Sequence, residues 1–323
     1  MSEKYYLGVD VGSVSTNFVL IAGGKQGVYS SYLRTMGQPI NTVKEGLRQL
    51  GAFLDGRQIA GVGVTGSGRS LAAVLLGADV VKNEITAHAV AAGSTCPGVN
   101  TVLEIGGQDS KLIILRQGVV VDFAMNSVCA AGTGSFLDQQ AARLGIPIED
   151  FGSLALQSEN PVRIAGRCSV FAESDMIHKQ QMGNVLPDII AGLCDALVRN
   201  YLNNLAKGKE IKAPVVFQGG VAANAGIKRA FEQALGLEVT VPEHYGVMGA
   251  LGAAMLARAQ ARDKPTTFLG VGISEMSHTS RSFYCSHCAN NCEIVQLACE
   301  DRVLARWGDR CGKWSSLASK DIG

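Results

Sequence analysis

A turn motif that occurs twice in the chain constrains its fold more than any other feature. In YYLGVDVGSVSTNFVLI an apolar run ends at Asp10, Gly12 follows, and a second apolar run leaves a small polar turn. In VLEIGGQDSKLIIL the same design recurs, with Glu104 and Gly106 at the same mutual spacing. Apolar runs on both sides of such a turn predict a β-hairpin. Two copies predict two related lobes, although ordinary turn chemistry could also produce two similar hairpins.

A third glycine turn follows in VVFQGGVAANAGIKRAFEQAL. A buried strand is predicted to run into Gly219 and Gly220, and a helix to begin at about Ala225. Two adjacent glycines let a flat ligand approach the backbone closely. Residues 246–260 form a predicted helix whose small residues allow another element to pack tightly against it. The polar, proline-containing stretch ARDKPTT comes next and predicts a boundary near residue 263.

Length, composition and charge exclude several classes of protein. The chain has 323 residues, of which 47% are hydrophobic and 18% charged, as expected for a globular protein with two core-forming lobes. A formal net charge of +1 gives no electrostatic reason to expect nucleic acid or a membrane surface as a partner. The N-terminal MSEKYYLGVDVG lacks the pattern of a secretion signal, and no apolar stretch of about 18 residues is present. We therefore expect a cytoplasmic protein.

Two weaker patterns have ordinary structural explanations. Gly61, Gly63 and Gly66 fit the G-x-G-x-x-G pattern of dinucleotide-binding proteins, with Glu84 near the expected acidic position. A strand–turn–helix connection explains these glycines equally well. His88 lies at helical spacing from Glu84, but we interpret it as a hydrogen-bonded helix residue and not as half of a metal pair. The G-x-x-x-x-G-K-[ST] pattern of P-loop proteins is absent from the sequence.

Nine cysteines in a cytosolic chain favour metal binding or redox chemistry over a disulfide framework. Cys129, in NSVCAAGTGSFLDQQAARLG, and Cys168, in GRCSVFAESDMIH, each precede a helix-like segment. The free N–H groups and the dipole at a helix N-terminus stabilise a thiolate. Two such thiolates are half the ligand set of a four-cysteine iron–sulfur cluster, and a two-fold dimer would supply the other half. The alternative is two buried free cysteines, as expected for Cys96 and Cys194.

Five further cysteines lie within the last forty residues and mark the C-terminal part of the chain as a separate segment. Cys285, Cys288 and Cys292 are closely spaced, and Cys311 follows at a distance. This spacing predicts a closed metal site, either an iron–sulfur cluster or zinc, with reduced free thiols as the alternative. Cys299 is the weakest candidate for a ligand. The spacing alone does not choose the metal.

The ordered motifs resemble those of a known family. Two glycine hairpins with acids, followed by a strand–Gly-Gly–helix, resemble the actin, sugar-kinase and heat-shock-chaperone ATPase superfamily. Together, DVGSVST, EIGGQDSK, NSVCAAGTGSFLD, GRCSVFAESDMIH and FQGGVAANAG resemble the activator ATPases of 2-hydroxyacyl-CoA dehydratases, the BadF/BadG/BcrA/BcrD-type activases of CoA-substrate-specific enzymes. The resemblance covers about residues 4–260. It implies an α/β fold of two related lobes with a nucleotide cleft.

The resemblance also implies a domain organisation. Residues 1–90 are expected to form the first ATPase lobe, together with a returning helix at 246–262. Residues 91–245 form the second lobe, which carries Cys129 and Cys168. The cysteine-rich extension, residues 263–323, is similar to the segment that follows the ATPase in longer activases.

Cofactors and site residues follow from the same resemblance. It implies ATP or ADP with Mg²⁺, and one [4Fe–4S] cluster at the interface of a homodimer, each subunit giving Cys129 and Cys168. Asp10 is expected to hold Mg²⁺ through water, and Gln108 and Asp109 to position the attacking water. Direct metal contact by Glu104 stays open because of its extra methylene. The expected nucleotide contacts are Gly12, Ser13, Val14, Ser15, Thr16, Gly106, Gly107, Gln108, Lys111, Gly219, Gly220 and Val221.

The function implied is ATP-dependent electron transfer. A ferredoxin- or flavodoxin-like donor would supply one electron, and hydrolysis would drive its transfer to an iron–sulfur enzyme. A 2-hydroxyacyl-CoA dehydratase, an aryl-CoA reductase or a double-cubane cluster protein would suit as that partner. Two alternatives are a small-molecule kinase of the same superfamily and a nucleotide sensor that uses a metal in its C-terminal extension for docking.

Overall fold

The computed structural model describes residues 3–23, 25–261, 264–300 and 302–318. Its strands are β1 Tyr5–Val11, β2 Ser15–Ala22, β3 Lys25–Arg34, β4 Ile59–Thr65, β5 Val80–Val81, β6 Thr101–Ile105, β7 Ser110–Arg116, β8 Val119–Asn126, β9 Val215–Gln218, β10 Val239–Thr240, β11 His278–Tyr284, β12 Glu293–Cys299 and β13 Arg302–Trp307. Its α-helices are α1 Pro39–Leu54, α2 Arg69–Leu76, α3 Glu84–Thr95, α4 Gly134–Leu144, α5 Ile148–Leu156, α6 Ser169–Gln181, α7 Leu186–Leu205, α8 Ala225–Leu235, α9 Met248–Gln260 and α10 Lys313–Ala318.

The described residues divide into two compact units. The first unit comes from Met1–Glu84 and Gly249–Gly323, and the second is Ile85–Met248. The lobe limits expected from the sequence stay a prediction, and the boundary near residue 263 lies outside the described residues. None of the helices that the structure describes is both long and apolar enough to span a membrane.

The first unit is built on a five-stranded sheet in the order β3-β2-β1-β4-β5. Strands β1 and β2 pair antiparallel as the predicted hairpin, while β1 and β4 pair parallel. The first core joins the apolar faces of these strands to α1 and α2. Helix α9 packs so closely on the sheet that a Cβ atom on Gly8 or Gly63 would overlap its backbone carbonyl oxygens. Packing at this separation requires glycine at both positions.

The second unit repeats the topology of the first. Its sheet has the order β10-β9-β6-β7-β8, so that β6 and β7 correspond to the hairpin strands β1 and β2. Strands β6 and β7 pair antiparallel, and β6 pairs parallel with β9. The second core joins this sheet to α4, α5, α7 and α8. Both hairpins predicted from the duplicated motif are therefore confirmed.

The C-terminal extension forms a third sheet, in the order β11-β12-β13, within the first unit. Two side chains of the main sheet region hold the segment that leads into it. Arg48 Nε donates to Glu275 Oε1 at 3.0 Å. The carboxylate of Asp79 accepts hydrogen bonds from the Thr266 hydroxyl at 2.7 Å and from the Thr267 backbone at 2.8 Å. The extension is therefore anchored on the first unit.

Candidate functional site

The first candidate phosphate-binding turn joins β1 to β2. The Gly12 N–H donates to the Ser15 carbonyl at 2.9 Å and closes the turn. Ser13 is exposed, whereas Thr16 is fully buried, with its hydroxyl 3.0 Å from that of Thr35. Ser13 and the turn amides are thus the groups that a phosphate can reach, while the Thr16 hydroxyl fixes the shape of the turn.

The second candidate turn joins β6 to β7 and has the same closure. The Gly106 N–H donates to the Asp109 carbonyl at 2.9 Å, in the same pattern as in the first turn. Gln108 is exposed at its tip. This geometry is compatible with the predicted role of Gln108 in orienting a water molecule.

Lys111 is held by two carboxylates beside this turn. Its ammonium lies 3.0 Å from the carboxylate of Glu104 and 2.9 Å from that of Asp109, and its side chain is 3% exposed. Glu104 and Lys111 are direct cross-strand partners. The structure thus places Lys111 in a buried ion-pair network, and its predicted contact with the nucleotide stays a prediction. Direct metal contact by Glu104 stays open.

A glycine lies beside each of the two turn acids, Asp10 and Glu104. The sequence patterns did not connect these glycines with the acids. Gly66 follows β4 with φ +94°, and an added Cβ would lie 2.5 Å from Asp10 Oδ1. Gly219 follows β9 with φ +90°, and an added Cβ would lie 2.8 Å from Glu104 Oε1. The duplication therefore extends to a third strand in each unit. The signal in the sequence was a strand ending in Thr-Gly or Gln-Gly.

Gly66 thereby belongs to a turn beside Asp10, and Gly63 to the contact of β4 with α9. The strand–turn–helix explanation of the G-x-G-x-x-G pattern is confirmed by β4 and α2. His88 is 6% exposed, and its Nδ1 lies 2.7 Å from Gln218 Nε2. This confirms the hydrogen-bonded interpretation of His88.

The third glycine turn forms as the sequence predicted. Strand β9 ends at Gln218, Gly219 donates its N–H to the Tyr245 carbonyl at 2.9 Å, and a 3₁₀ turn covers Gly220–Ala223. Helix α8 begins at Ala225. The contact of Gly219, Gly220 and Val221 with an adenosine stays a prediction.

Cys129 precedes a single 3₁₀ turn, Ala130–Gly132, where the sequence predicted a helix-like segment. The α-helix starts later, at Gly134. Cys129 is partly exposed, and Asn126 fixes its backbone on both sides. Asn126 Oδ1 accepts the Cys129 N–H at 2.9 Å, and Asn126 Nδ2 donates to the Cys129 carbonyl at 2.8 Å. Two hydrogen bonds from Asn126 thus hold the backbone of this partly exposed cysteine.

Cys168 is the N-cap residue of α6, as the sequence predicted, and is also partly exposed. The loop before it is tied to α7 by Asn200, which is 3% exposed. Asn200 Nδ2 donates to the Gly166 carbonyl at 2.7 Å, and its Oδ1 would lie 2.8 Å from a Cβ on Gly132. Asn200 therefore contacts both cysteine-bearing loops. Sequence reasoning missed it because its position depends on the packing of α7.

Direct hydrogen bonds join the second phosphate turn to the segment that follows Cys129. The Gly106 carbonyl accepts the Gly134 N–H at 2.9 Å. The Gly107 carbonyl accepts both the N–H of Ser135, at 2.8 Å, and its hydroxyl, at 2.6 Å. The first turn of α4 is thus fixed to the glycine turn, a few residues after Cys129.

The remaining cysteines differ in environment. Cys194 is buried, and desolvation raises the pKa of its thiol well above the ordinary value. Cys96, expected in a core, is only partly buried because it lies just beyond the end of α3. These two therefore provide a buried and a half-buried reference for the candidate ligands.

Within the extension, Cys285 and Cys292 face each other where β11 and β12 meet, since the Cys285 N–H donates to the Cys292 carbonyl at 2.8 Å. The Trp314 indole and the backbone of His287 lower the pKa of the Cys285 thiol. Cys288 and Cys311 are exposed. Across the described residues, no three His, Cys, Asp or Glu side chains are gathered in a group that could hold a metal ion. A metal in the extension stays a prediction.

Comparison with known proteins identifies a family that matches most of the chain. Residues 7–257 match the BadF/BadG/BcrA/BcrD ATPase family. The (R)-2-hydroxyglutaryl-CoA dehydratase activating ATPase of Acidaminococcus fermentans is 37% identical over 80% of this chain and 98% of its own length.

Solved structures support the same assignment of the fold. The activator of the 2-hydroxyisocaproyl-CoA dehydratase from Clostridium difficile, solved with bound ADPNP, aligns with TM-score 0.73 and 34% identity over 80% of this chain and 96% of that one. A ROK family glucokinase from Streptomyces griseus aligns with TM-score 0.51 and 14% identity over 79% of this chain and 99% of that one, which supports the fold alone. The expected actin-like and sugar-kinase-like α/β fold is confirmed.

Proposed function

Because the chain belongs to the BadF/BadG/BcrA/BcrD ATPase family, we propose that it is an ATP-dependent activator that passes single electrons to an iron–sulfur partner enzyme. Two relatives that activate CoA-ester dehydratases, each matched over nearly its whole length, support the activator role. One observation carries the proposal that the two activities are coupled. The glycine turn proposed to meet the γ-phosphate is hydrogen-bonded to the start of α4, a few residues after a candidate cluster cysteine.

The nucleotide is proposed to use the two glycine turns. The amides of residues 12–16 and the exposed Ser13 hydroxyl hold phosphate oxygens, and Asp10 holds Mg²⁺ through water. Gln108, exposed on the second turn, orients the attacking water. Lys111 acts indirectly, because it fixes the carboxylate of Asp109 beside that turn.

The candidate cluster ligands are Cys129 and Cys168. Their sulfur donors are soft, both residues are partly exposed, and both loops are held by Asn200, so one chain presents half of a four-thiolate set. A homodimer would complete the set. When bound, a [4Fe–4S] cluster supplies one-electron redox chemistry. The chain's own contribution is to hold two thiolates at the surface on rigid loops.

Coupling is proposed to run through the start of α4. If the second glycine turn moves with the γ-phosphate, Gly134 and Ser135 should move with the turn, because carbonyls of the turn accept hydrogen bonds from both residues. Thr133, whose N–H and hydroxyl both bond to the Ala130 carbonyl, continues this contact to the 3₁₀ turn after Cys129. ATP and ADP differ at the γ-phosphate, which gives the differential affinity that a two-state switch needs. A small-molecule kinase would have no use for this link.

The electron donor is proposed to be a ferredoxin- or flavodoxin-like protein. The acceptor is an iron–sulfur enzyme of the dehydratase, aryl-CoA reductase or double-cubane type, in keeping with the dehydratases named for the relatives. Both partners follow from the proposed activity and are tested with it.

The cluster assignment is tested by replacing single cysteines in protein purified without oxygen. Cys129→Ser and Cys168→Ser should each abolish most of the iron and the EPR signal of the dimer. Cys96→Ser is the matched control, because Cys96 is also partly exposed and lies in the same unit. Full iron content in the Cys129→Ser protein would show that the assignment is wrong.

The coupling is tested by removing one hydrogen bond between the turn and α4. Ser135→Ala deletes the 2.6 Å bond to the Gly107 carbonyl, whereas Ser153→Ala deletes a comparable 2.9 Å bond within α5. Partner reduction by pre-reduced protein is measured with ATP, with ADP and without nucleotide. Ser135→Ala should keep its iron but lose much of the advantage of ATP over ADP, and Ser153→Ala should not. Equal rates in all three conditions for the unmodified protein would rule out ATP-driven transfer.

A further inference from the structure

A basic groove lies beside Cys168 in the second unit. Two adjoining cavities of about 780 and 730 Å³ share Gly166, Arg167 and Asn203 in their walls. Their remaining walls come from residues 163–167, from one side of α6 and from the C-terminal half of α7. Arg167 directly precedes Cys168, so the groove begins where the candidate cluster ligand is held.

The groove concentrates positive charge on a chain whose formal net charge is only +1. Its cationic side chains are Arg163, Arg167, Lys179, Arg199 and Lys207. Among the described residues, none of these five has a carboxylate within 4.0 Å. The single acidic residue in the walls, Asp175, accepts the Ala165 N–H at 2.8 Å. The groove is therefore strongly cationic.

Exposed apolar side chains border the same surface. Val170 and Phe171, in the first turn of α6, are 67% and 65% exposed, and Phe171 lines the groove. Protein–protein interfaces are enriched in arginine and aromatic residues, and they have an apolar centre and a polar rim. Surface chemistry thus indicates a protein partner.

We propose that this groove binds an acidic face of the iron–sulfur enzyme that accepts the electron. This proposal rests on the proposed function. A second copy of the chain is not the proposed occupant of the groove, because a symmetric contact centred on the groove would oppose one set of cations to another; the copy that would share the cluster meets only the Cys168 end. A small anion is disfavoured because Arg163, Arg167 and Lys207 are exposed and not gathered around one buried point. An acidic partner surface satisfies the spread charges and brings the acceptor to Cys168. Such complexes associate under electrostatic steering.

The first test measures binding to a defined acidic probe, a biotinylated poly-glutamate peptide, by the full-length dimer with or without metal. We expect binding that weakens with salt, and about tenfold weaker binding for Arg163→Glu/Lys179→Glu. Lys228→Glu is the matched control for charge, since Lys228 lies on α8, outside the groove, and pairs with Glu232 at 3.1 Å. The control should bind like the unmodified protein. Displacement of the peptide by low concentrations of pyrophosphate would instead identify a small-anion site and overturn the proposal.

The second test follows oxidation of the reduced, iron-loaded protein by one-electron acceptors of opposite charge. One electron passes from the protein to an acidic [2Fe–2S] ferredoxin or to basic cytochrome c. Lys179→Glu should slow the ferredoxin reaction about tenfold at low salt and speed the cytochrome reaction, with the difference vanishing at high salt. ATP hydrolysis and iron content should stay unchanged.

Three results of these tests would overturn the docking proposal. The first is that Lys179→Glu and Lys228→Glu slow the ferredoxin reaction equally. The second is that neither peptide binding nor electron transfer depends on salt. The third is that the Arg163→Glu/Lys179→Glu protein dissociates into monomers, which would place the groove between two copies of the chain. Absence of iron in the unmodified protein would count against the proposed function alone. The peptide assay would still decide the docking proposal in that case.

Discussion

Replacing Lys111 by methionine tests the buried ion-pair network most directly. The Lys111 side chain is 3% exposed, and its ammonium lies 3.0 Å from one carboxylate, Glu104, that is itself only 5% exposed. The second carboxylate, Asp109, is 2.9 Å away and 29% exposed. Methionine keeps most of the volume and removes the charge. The variant therefore leaves Glu104 buried without its cation, whereas Asp109 can turn to water.

The size of the effect follows from these distances. At about 3 Å and an effective dielectric constant of about 20, each pair attracts by roughly 5 kcal/mol, much of which is offset by the cost of burying the ions. Removing one partner of a buried pair costs about 3–5 kcal/mol, because the other charge stays buried and uncompensated. A native domain is stable by only about 5–15 kcal/mol. Lys111→Met should therefore lower the free energy of unfolding of the second unit by a large fraction.

Hydrogen exchange of the β6 and β7 amides is the suitable assay, because both tryptophans, Trp307 and Trp314, lie in the first unit and would not report on the second. Lys111→Met should speed exchange strongly, and Lys111→Met/Glu104→Gln should restore most of the protection by removing the unpaired charge. Lys209→Met, which breaks the more exposed pair with Asp122, is the control and should have a much smaller effect. If the single variant is no worse than the double variant, the reasoning fails.

Three further changes have defined outcomes. In a denaturation assay, Gly63→Ala should lower the free energy of unfolding by about 1–3 kcal/mol, because the added methyl overlaps α9. Gly93→Ala should raise the free energy of unfolding by about 0.5–1 kcal/mol, because Gly93 lies in α3 with open space around the added methyl. Burial opposes ionisation of Asp79, but hydrogen bonds from residues 62, 266 and 267 outweigh it and lower its pKa. Its stabilisation is present above the unfolded pKa and lost as pH falls through the folded one, so Asp79→Asn should remove part of the acid sensitivity below about pH 4 in a pH melt. Cys285→Ser should reduce the metal bound per chain, with Cys299→Ser unchanged, as measured by elemental analysis; equal metal in both would leave the extension without a site.

Local patterns in the sequence predicted the elements that depend on neighbouring residues. The hairpins around Gly12 and Gly106, the helix from Ala225 and the N-cap position of Cys168 all formed as expected. Each is decided by a turn or a cap within a few residues, so the chain signals it directly. The helix expected at Cys129 is a short 3₁₀ turn because Asn126 fixes its backbone and α4 starts later.

Features that depend on distant residues were not predictable in this way. The ion pair of Lys111 with Glu104 depends on the hairpin register, which places the two residues opposite each other and which the turn motif does not specify. Asn200 contacts both cysteine loops only because α7 packs beneath them. The basic groove likewise combines α6, α7 and the loop at 163–167. No local pattern encodes the meeting of separate helices.

The shared strand order of the two units makes one difference between them visible. In the first sheet the third and fourth strands along the chain, β3 and β4, are joined by residues 35–58, which contain one helix. In the second the equivalent strands, β8 and β9, are joined by residues 127–214, a far longer stretch that contains four helices. Cys129 and Cys168 and every residue lining the groove lie inside this one insertion. The proposed cluster site and docking groove can therefore diversify by changes in the insertion, while the duplicated hairpins, which are proposed to hold the nucleotide, remain as they are.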